Sequence, residues 1–352
     1  MKNSFLLLLS FSLALILSSC GSDTDDSRIA DYKDVLQNIS NDVILPTYED
    51  LYDKTQLLVN TLTILEQNVS QVNLDASKQA WRDARVPWEQ SEGFLFGPVD
   101  QQGLDPAIDS WPVNETDLDA VLNSNAVLTK DYVDGLDGTL KGFHTLEYLI
   151  FGKEGNKSIA SFTQREFEYL RACSQSLHGA TKALFFAWKP EQQNFIANVL
   201  KAGEPGNSVY PSQKSALQEI VTGMITIADE VANGKINEPF TTQNLTYEES
   251  RFSANSKKDF ADNIQSIENA FLGVYKNASG LGISKIIKEK NELLDVKFRQ
   301  QLDDAIRAIE SIQGTFTTAV TNARPSIEFA QLKVRTVQQT LESEILPLIS
   351  NL

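Results

Sequence analysis

The sequence predicts an all-α protein built as two helical bundles, each resembling a four-helix bundle. Apolar residues recur every three to four positions along nearly all of the chain, as in Leu57, Leu58, Leu62 and Leu65, or Leu294, Phe298, Leu302, Ile306 and Ile309. No run reads as a strand. The breaks fall where glycine and proline sit: over 97–106, at Trp111-Pro112, at Gly203-Glu204-Pro205-Gly206, at Gly234 and at Arg324-Pro325.

Taken in order, residues 1–19 come first. Lys2 precedes an apolar run over 5–17, the charged and hydrophobic regions of an export signal, and the run is too short for a comfortable membrane span. Its end, Leu17-Ser18-Ser19-Cys20-Gly21, resembles a bacterial lipobox. That resemblance implies cleavage before Cys20, lipidation of Cys20 and anchoring in a lipid membrane. Residues 20–27 then form a short acidic tether similar to the surface-export tethers of Bacteroidetes lipoproteins, and equally readable as a solvated linker.

Helices are expected over 28–68, 75–97, 139–151, 163–188, 191–202, 212–233, 257–277, 282–313 and 325–350. The first carries the Leu57–Leu65 stripe, the second stops at Gly97-Pro98, and the fifth and sixth stop before Gly203 and Gly234. The last opens on Pro325, favoured in a first helical turn. The 333 residues left after the signal exceed what one helical core usually covers. Two bundles, 28–202 and 203–352, are therefore expected, with 282–313 and 325–350 as antiparallel partners.

Composition narrows the function. With 31 Lys+Arg against 47 Asp+Glu and net charge −16, no basic patch offers itself to nucleic acid. Two His and two Cys cannot build a Cys/His zinc site, so any metal must lean on carboxylates. Neither His-Glu-x-x-His, nor Gly-x-Ser-x-Gly, nor a phosphate loop occurs. Cys173 reads as a packed inert thiol and His178 as a satisfied or exposed histidine.

Two segments set chemistry against packing. In Gly142-Phe143-His144-Thr145-Leu146-Glu147, His144 and Glu147 fall on the apolar face shared by Leu140 and Phe151. A carboxylate there needs a cation, a donor or a metal, and the i, i+3 spacing lets both side chains reach one point. A His–Glu hydrogen bond filling a core gap is the packing alternative. In the second segment Arg85 and Glu92 share a face with Trp81, Trp88, Leu95 and Phe96. Arg85 and Glu89 are an i, i+4 pair, and Glu89 and Glu92 could reach one cation; a surface salt-bridge ladder is the alternative. Pro87 would kink this helix. A third polar cluster around Phe252, residues 247–259, reads equally as a linker with capping residues at Asn255 or Ser256.

Together three stretches resemble the imelysin family: Gly142-Phe143-His144-Thr145-Leu146-Glu147, which matches Gly-x-His-x-x-Glu; Trp81 to Pro98; and Glu249-Ser250-Arg251-Phe252-Ser253-Ala254-Asn255. Asp109-Ser110-Trp111-Pro112 also fits. The resemblance spans 28–350 and implies a cleft between two bundles, lined by the Gly-x-His-x-x-Glu helix. It further implies a cell-envelope role in acquiring iron or another metal, and a metallopeptidase label. His144, Glu147, Glu89 and Glu92 are the candidate metal ligands; Arg85, Trp88, Arg251 and Ser253 are the other pocket candidates.

The expected ligand is a divalent or ferric ion: oxygen-rich donor sets suit iron, manganese or calcium better than catalytic zinc, and the resemblance puts iron first, with zinc or calcium as alternatives. A small organic ligand in the cleft stays open. The leading expectation is an outer-membrane lipoprotein, on either the periplasmic or the surface face, that binds metal beside an uptake system. A metallopeptidase using His144 and Glu147 is the runner-up, although no residue is assigned a catalytic role. The third reading is a scaffold in which Arg85, Glu92, His144 and Glu147 close an ion-pair network.

Overall fold

A computed structural model describes residues 31–276 and 280–352. The export signal, Cys20 and the tether over 20–27 lie outside the described residues. Among the described residues every regular element is helical, and no helix is long and apolar enough to cross a membrane.

The principal helices are α1 (Leu45–Gln67), α2 (Gln71–Glu89), α3 (Gly142–Phe151), α4 (Gln164–Trp188), α5 (Gln213–Asp229), α6 (Ser256–Leu272), α7 (Glu292–Glu310) and α8 (Arg324–Thr340). Their starts follow local chemistry. The Thr163 hydroxyl accepts from the Glu166 N–H while Glu166 reaches back to Thr163, a reciprocal cap that opens α4. Ser212 caps α5 and Asn291 caps α7 through side-chain oxygens.

Several boundaries differ from the sequence expectation. The helix expected over 75–97 starts four residues earlier and stops at Glu89, two residues after Pro87, so Glu92 lies in a separate 3-10 turn, Glu92–Phe94. The helix expected over 282–313 is two, Ile283–Lys290 and α7, because Asn291 turns extended and caps the second. The segment expected over 191–202 is helical only at Ile196–Leu200. Short helices at Pro98–Gln101, Asp105–Asp109, Glu115–Leu122, Lys130–Asp134 and Phe316–Asn322 occupy stretches read as breaks or left unassigned. Few residues span each of them, too few for a periodic stripe to stand out.

Tyr32–Leu352 forms one compact unit. In it α1 packs against α2 and α4, and α3 lies against α2 and α4. After residue 203, α7 packs between α6 and α8, and α5 lies against α8. The join is made by α6 on α2 and by the Glu92–Phe94 turn lodged against α5 and α6. At Gly223 in α5, a Cβ would stand 2.5 Å from the Gly93 carbonyl, so only glycine lets that turn approach. One continuous apolar core runs through both halves.

Candidate metal centre

The join is where the ionisable residues collect. Helix α2 buries Trp81, Arg85, Trp88 and Glu89 on one face, the spacing that marked the segment in the sequence. Arg85 is fully buried and pairs with Glu89 and Asp109 at very short range, with Glu249 at 2.9 Å and with Asp259 at 3.5 Å. The Arg85–Glu89 pair therefore forms in the core and not as a surface ladder. A second buried cation, Lys235, lies 2.9 Å from Glu249, 3.1 Å from Glu92 and 3.8 Å from Glu89. It arrives on a π-helical turn, Glu230–Lys235, that continues α5. Asn263 of α6 donates to both Glu89 and Glu92.

Helix α3 supplies His144 and Glu147, 2% and 0% exposed. Gly142 makes their position attainable: its φ is +75° and a Cβ would stand 2.3 Å from the Ile108 carbonyl. Only glycine tolerates both, and the close approach sets Asp109 beside His144. The two histidine nitrogens then have different company. Nδ1 faces Glu147 Oε2 at 3.4 Å, and Glu147 Oε1 accepts from the backbone N–H and the hydroxyl of Ser253, each at 2.7 Å. Nε2 lies 3.1 Å from Asp109 Oδ1 and 3.7 Å from Glu249 Oε1, yet no hydrogen bond is aligned on it. Trp88 Nε1 donates to the other Asp109 oxygen at 2.7 Å.

The charges do not balance. Glu89, Glu92, Asp109, Glu147, Glu249 and Asp259 are all buried, against Arg85, Lys235 and a His144 that is cationic only when protonated. Burial works against a charged His144, but Asp109, Glu147 and Glu249 hold its pKa well above the usual imidazole range. Burial likewise opposes the Asp109 carboxylate, and Arg85 and His144 overcome it, keeping its pKa low. Glu249 is also held low, by Lys235 first and then by His144 and Arg85, against burial. For Glu89 and Glu92 burial wins, and the neighbouring carboxylates add to it, so their pKa values stand well above normal. Asp259 is pushed up to about 6 by burial despite Arg85.

Two groups of donors lie within 4.8 Å of one another: Asp109, His144 and Glu249, and Glu89, Glu92 and Asp109. A cavity of ≈ 20 Å³ adjoins His144 and Glu147 under Trp111, room for about one water or one ion. From the other side an opening of ≈ 230 Å³ reaches Glu92 and Asp109 past Asp105 and Glu230.

Every sequence-predicted site residue is thus located. Arg85, Trp88, Glu89, Glu92, His144 and Glu147 share the centre, and Ser253 anchors Glu147. Arg251 stands apart, 3.2 Å from Glu115, on the wall of the small cavity. The cluster over 247–259 is more than a linker, since it supplies Glu249 and Asp259 as well as Ser253. Sequence reasoning missed Asp109, Lys235, Glu249, Asp259 and Asn263 as site residues. Asp259 and Asn263 left a signal, polar residues four apart on a face with Phe260 and Ile264, and Asp109 and Glu249 stood inside quoted motifs. Lys235 left none.

Residues 44–342 match the family model described as Imelysin, labelled a peptidase family, M75. The chain belongs to the imelysin family. It is 28% identical over 342 residues, 96% of this chain and 91% of the relative, to iron-regulated protein A of Synechococcus elongatus. A crystal structure described as an iron-regulated protein A precursor from Parabacteroides distasonis superposes with a TM-score of 0.80 at 27% identity, covering 91% of this chain and 94% of that one. An imelysin-like protein from Psychrobacter arcticum gives a TM-score of 0.71 at 15% identity, covering 90% and 95%; at that identity the likeness is one of fold.

Proposed function

We propose that this imelysin-family protein binds a metal ion at the buried centre, as a lipid-anchored envelope protein serving iron acquisition. The observation that carries the reading is His144 Nε2, a buried nitrogen with no aligned hydrogen bond, facing carboxylate oxygens of Asp109 and Glu249. The nitrogen and the two carboxylates face one another closely enough that a cation held by all three groups could take the place of the proton His144 otherwise shares with them. The excess of buried carboxylates supports the same reading, since a divalent or ferric ion neutralises charge that protons must otherwise cover.

Asp109, His144 and Glu249 are the residues that would hold the ion. Glu147 would then act from behind, accepting the Nδ1 proton and fixing the ring, with Ser253 fixing Glu147; such support raises ligand basicity. Glu89, Glu92 and Asp109 form an acidic approach from the ≈ 230 Å³ opening. One imidazole among carboxylates favours iron, manganese or calcium over catalytic zinc. The names of two relatives, iron-regulated protein A in both cases, make iron the first metal to test. Anchoring rests on the lipobox-like ending at Cys20, and partnership with an outer-membrane uptake system follows from that placement.

The test is metal analysis and titration of the chain from residue 20 onward, with His144→Ala and Asp109→Asn beside it. The reading expects about one ion per chain and loss of binding in both variants. A wild-type protein that carries no metal and takes none on titration sinks it. Chelator-sensitive cleavage of a peptide library, abolished in His144→Ala, would replace it with a metallopeptidase; the burial of His144 stands against that outcome.

A further inference from the structure

A second cavity, of ≈ 620 Å³, opens beside the centre and has the opposite electrostatic character. Its size is that of small-molecule sites, about 300–1,000 Å³. Lys78, Arg82, Lys153 and Arg251 line it, and Glu154 is the acid among its lining residues. In a chain of net charge −16 such a wall is unexpected.

Lys78 and Arg82 carry most weight. They stand four apart on α2, where like charges repel, and both lean over Phe151, at 5.4 and 4.6 Å from its centroid. Among the described residues neither is in an ion pair. Lys78 donates to the Lys157 carbonyl at 3.3 Å and Arg82 to the Ser253 carbonyl at 2.9 Å, which uses one of five guanidinium donors. Burial, joined by Arg82 and Lys157 and opposed by Asp75, lowers the Lys78 pKa. Across the cavity Lys153 and Arg251 share one carboxylate, Glu115, at 2.7 and 3.2 Å. Four cations thus line the space with one acid, Glu154, while Glu115 pairs with two of them and Asp75 and Glu147 act on Lys78 and Arg82 without an ion pair.

We infer that this cavity binds a small organic anion carrying two or three carboxylates. Arg82 offers a fork that matches a carboxylate in two-pronged fashion, and Lys78, Lys153 and Arg251 surround the space a second carboxylate would take. Phe151 and Phe252 supply apolar contact for its carbon skeleton. The inference needs no metal at the neighbouring centre.

The experiment is calorimetric titration of metal-free, desalted protein, from residue 20 onward, at constant ionic strength. The probes are citrate, succinate, pyrophosphate and chloride. Citrate is expected to bind saturably at one site, and chloride not at all. Lys78→Gln and Arg82→Gln should each weaken citrate by about tenfold or more, the loss of one charge-assisted hydrogen bond. Lys153→Gln, an exposed position whose change leaves the fold intact, should weaken it several-fold, and Lys297→Gln, paired with Glu344 elsewhere, should not. No saturable citrate heat up to about 10 mM, unchanged affinity in all three cavity variants, or binding of pyrophosphate alone would overturn the assignment.

Discussion

Lys235→Met is the sharpest probe of the buried network, because methionine keeps most of the side-chain volume and removes the charge together with the hydrogen bonds it donates to Glu249 and Glu92. In the native protein the ammonium meets Glu249 at 2.9 Å and Glu92 at 3.1 Å in surroundings closed to water. Removing one partner of a buried pair costs about 3–5 kcal/mol. The compact unit Tyr32–Leu352 has an unfolding entropy of roughly 0.7 kcal/mol/K at ~2.1 cal/mol/K per residue, so 4 kcal/mol lowers Tm by about 6 °C.

The pH dependence gives the stricter test. Lys235 is the first of the cations that hold Glu249 below its ordinary value of 4.5 against burial. Without it the folded-state pKa of the carboxyl rises from its depressed value, so the stability that a depressed carboxylate contributes is reduced, in full above the variant's folded pKa and less as pH falls through it. The loss should therefore be full at pH 8 and shrink only in acid, where a proton on the carboxyl replaces the ammonium. Denaturant melts of wild type and Lys235→Met, both freed of metal, at pH 5, 6.5 and 8 read it directly. A deficit below about 1 kcal/mol, or one that grows as pH falls, would refute the reasoning.

Three further outcomes follow from the same geometry. Metal binding should release protons, because His144 starts with a raised pKa and must lose its proton to coordinate; affinity should rise with pH, and equal calorimetric heats in buffers of different ionisation enthalpy would contradict this. Gly142→Ala should destabilise by at least about 1–2 kcal/mol from the left-handed backbone alone, and it should lower metal affinity by parting Asp109 from His144; unchanged melting would show that the Ile108 contact yields freely. Cys173 is a buried free thiol pushed up to about 12 by burial, so thiol reagents at pH 8 should label it only on unfolding, and rapid native labelling would contradict its closed packing.

The conflict between side-chain chemistry and apolar faces was legible from the sequence. Arg85, His144 and Glu147 each occupied helical positions on an apolar face and all are buried, whereas Glu89 was legible only as the i, i+4 partner of Arg85. The course of α2 beyond Pro87 was not legible. Continuing the helix to 97 placed Glu92 on the wrong element, although Glu92 still meets Glu89 through Lys235 and Asn263. The function of Gly142 also emerged only with the Ile108 carbonyl beside it, since spacing cannot reveal a close approach from another element.

What the sequence alone determined is local: helices wherever apolar residues recur every third or fourth position, starts at Thr163, Ser212 and Pro325, and an inward-facing His144 and Glu147. What tertiary structure decided is where the charges meet. Asp109 ends a five-residue helix, Lys235 rides a π-helical turn, Glu249 sits in an irregular loop, and Asp259 opens α6. Helical period is set by backbone hydrogen bonds a few residues apart, so it can be read along the chain. Neutralising a buried charge is settled at a point in space where distant segments converge, and no local pattern records which segments those will be.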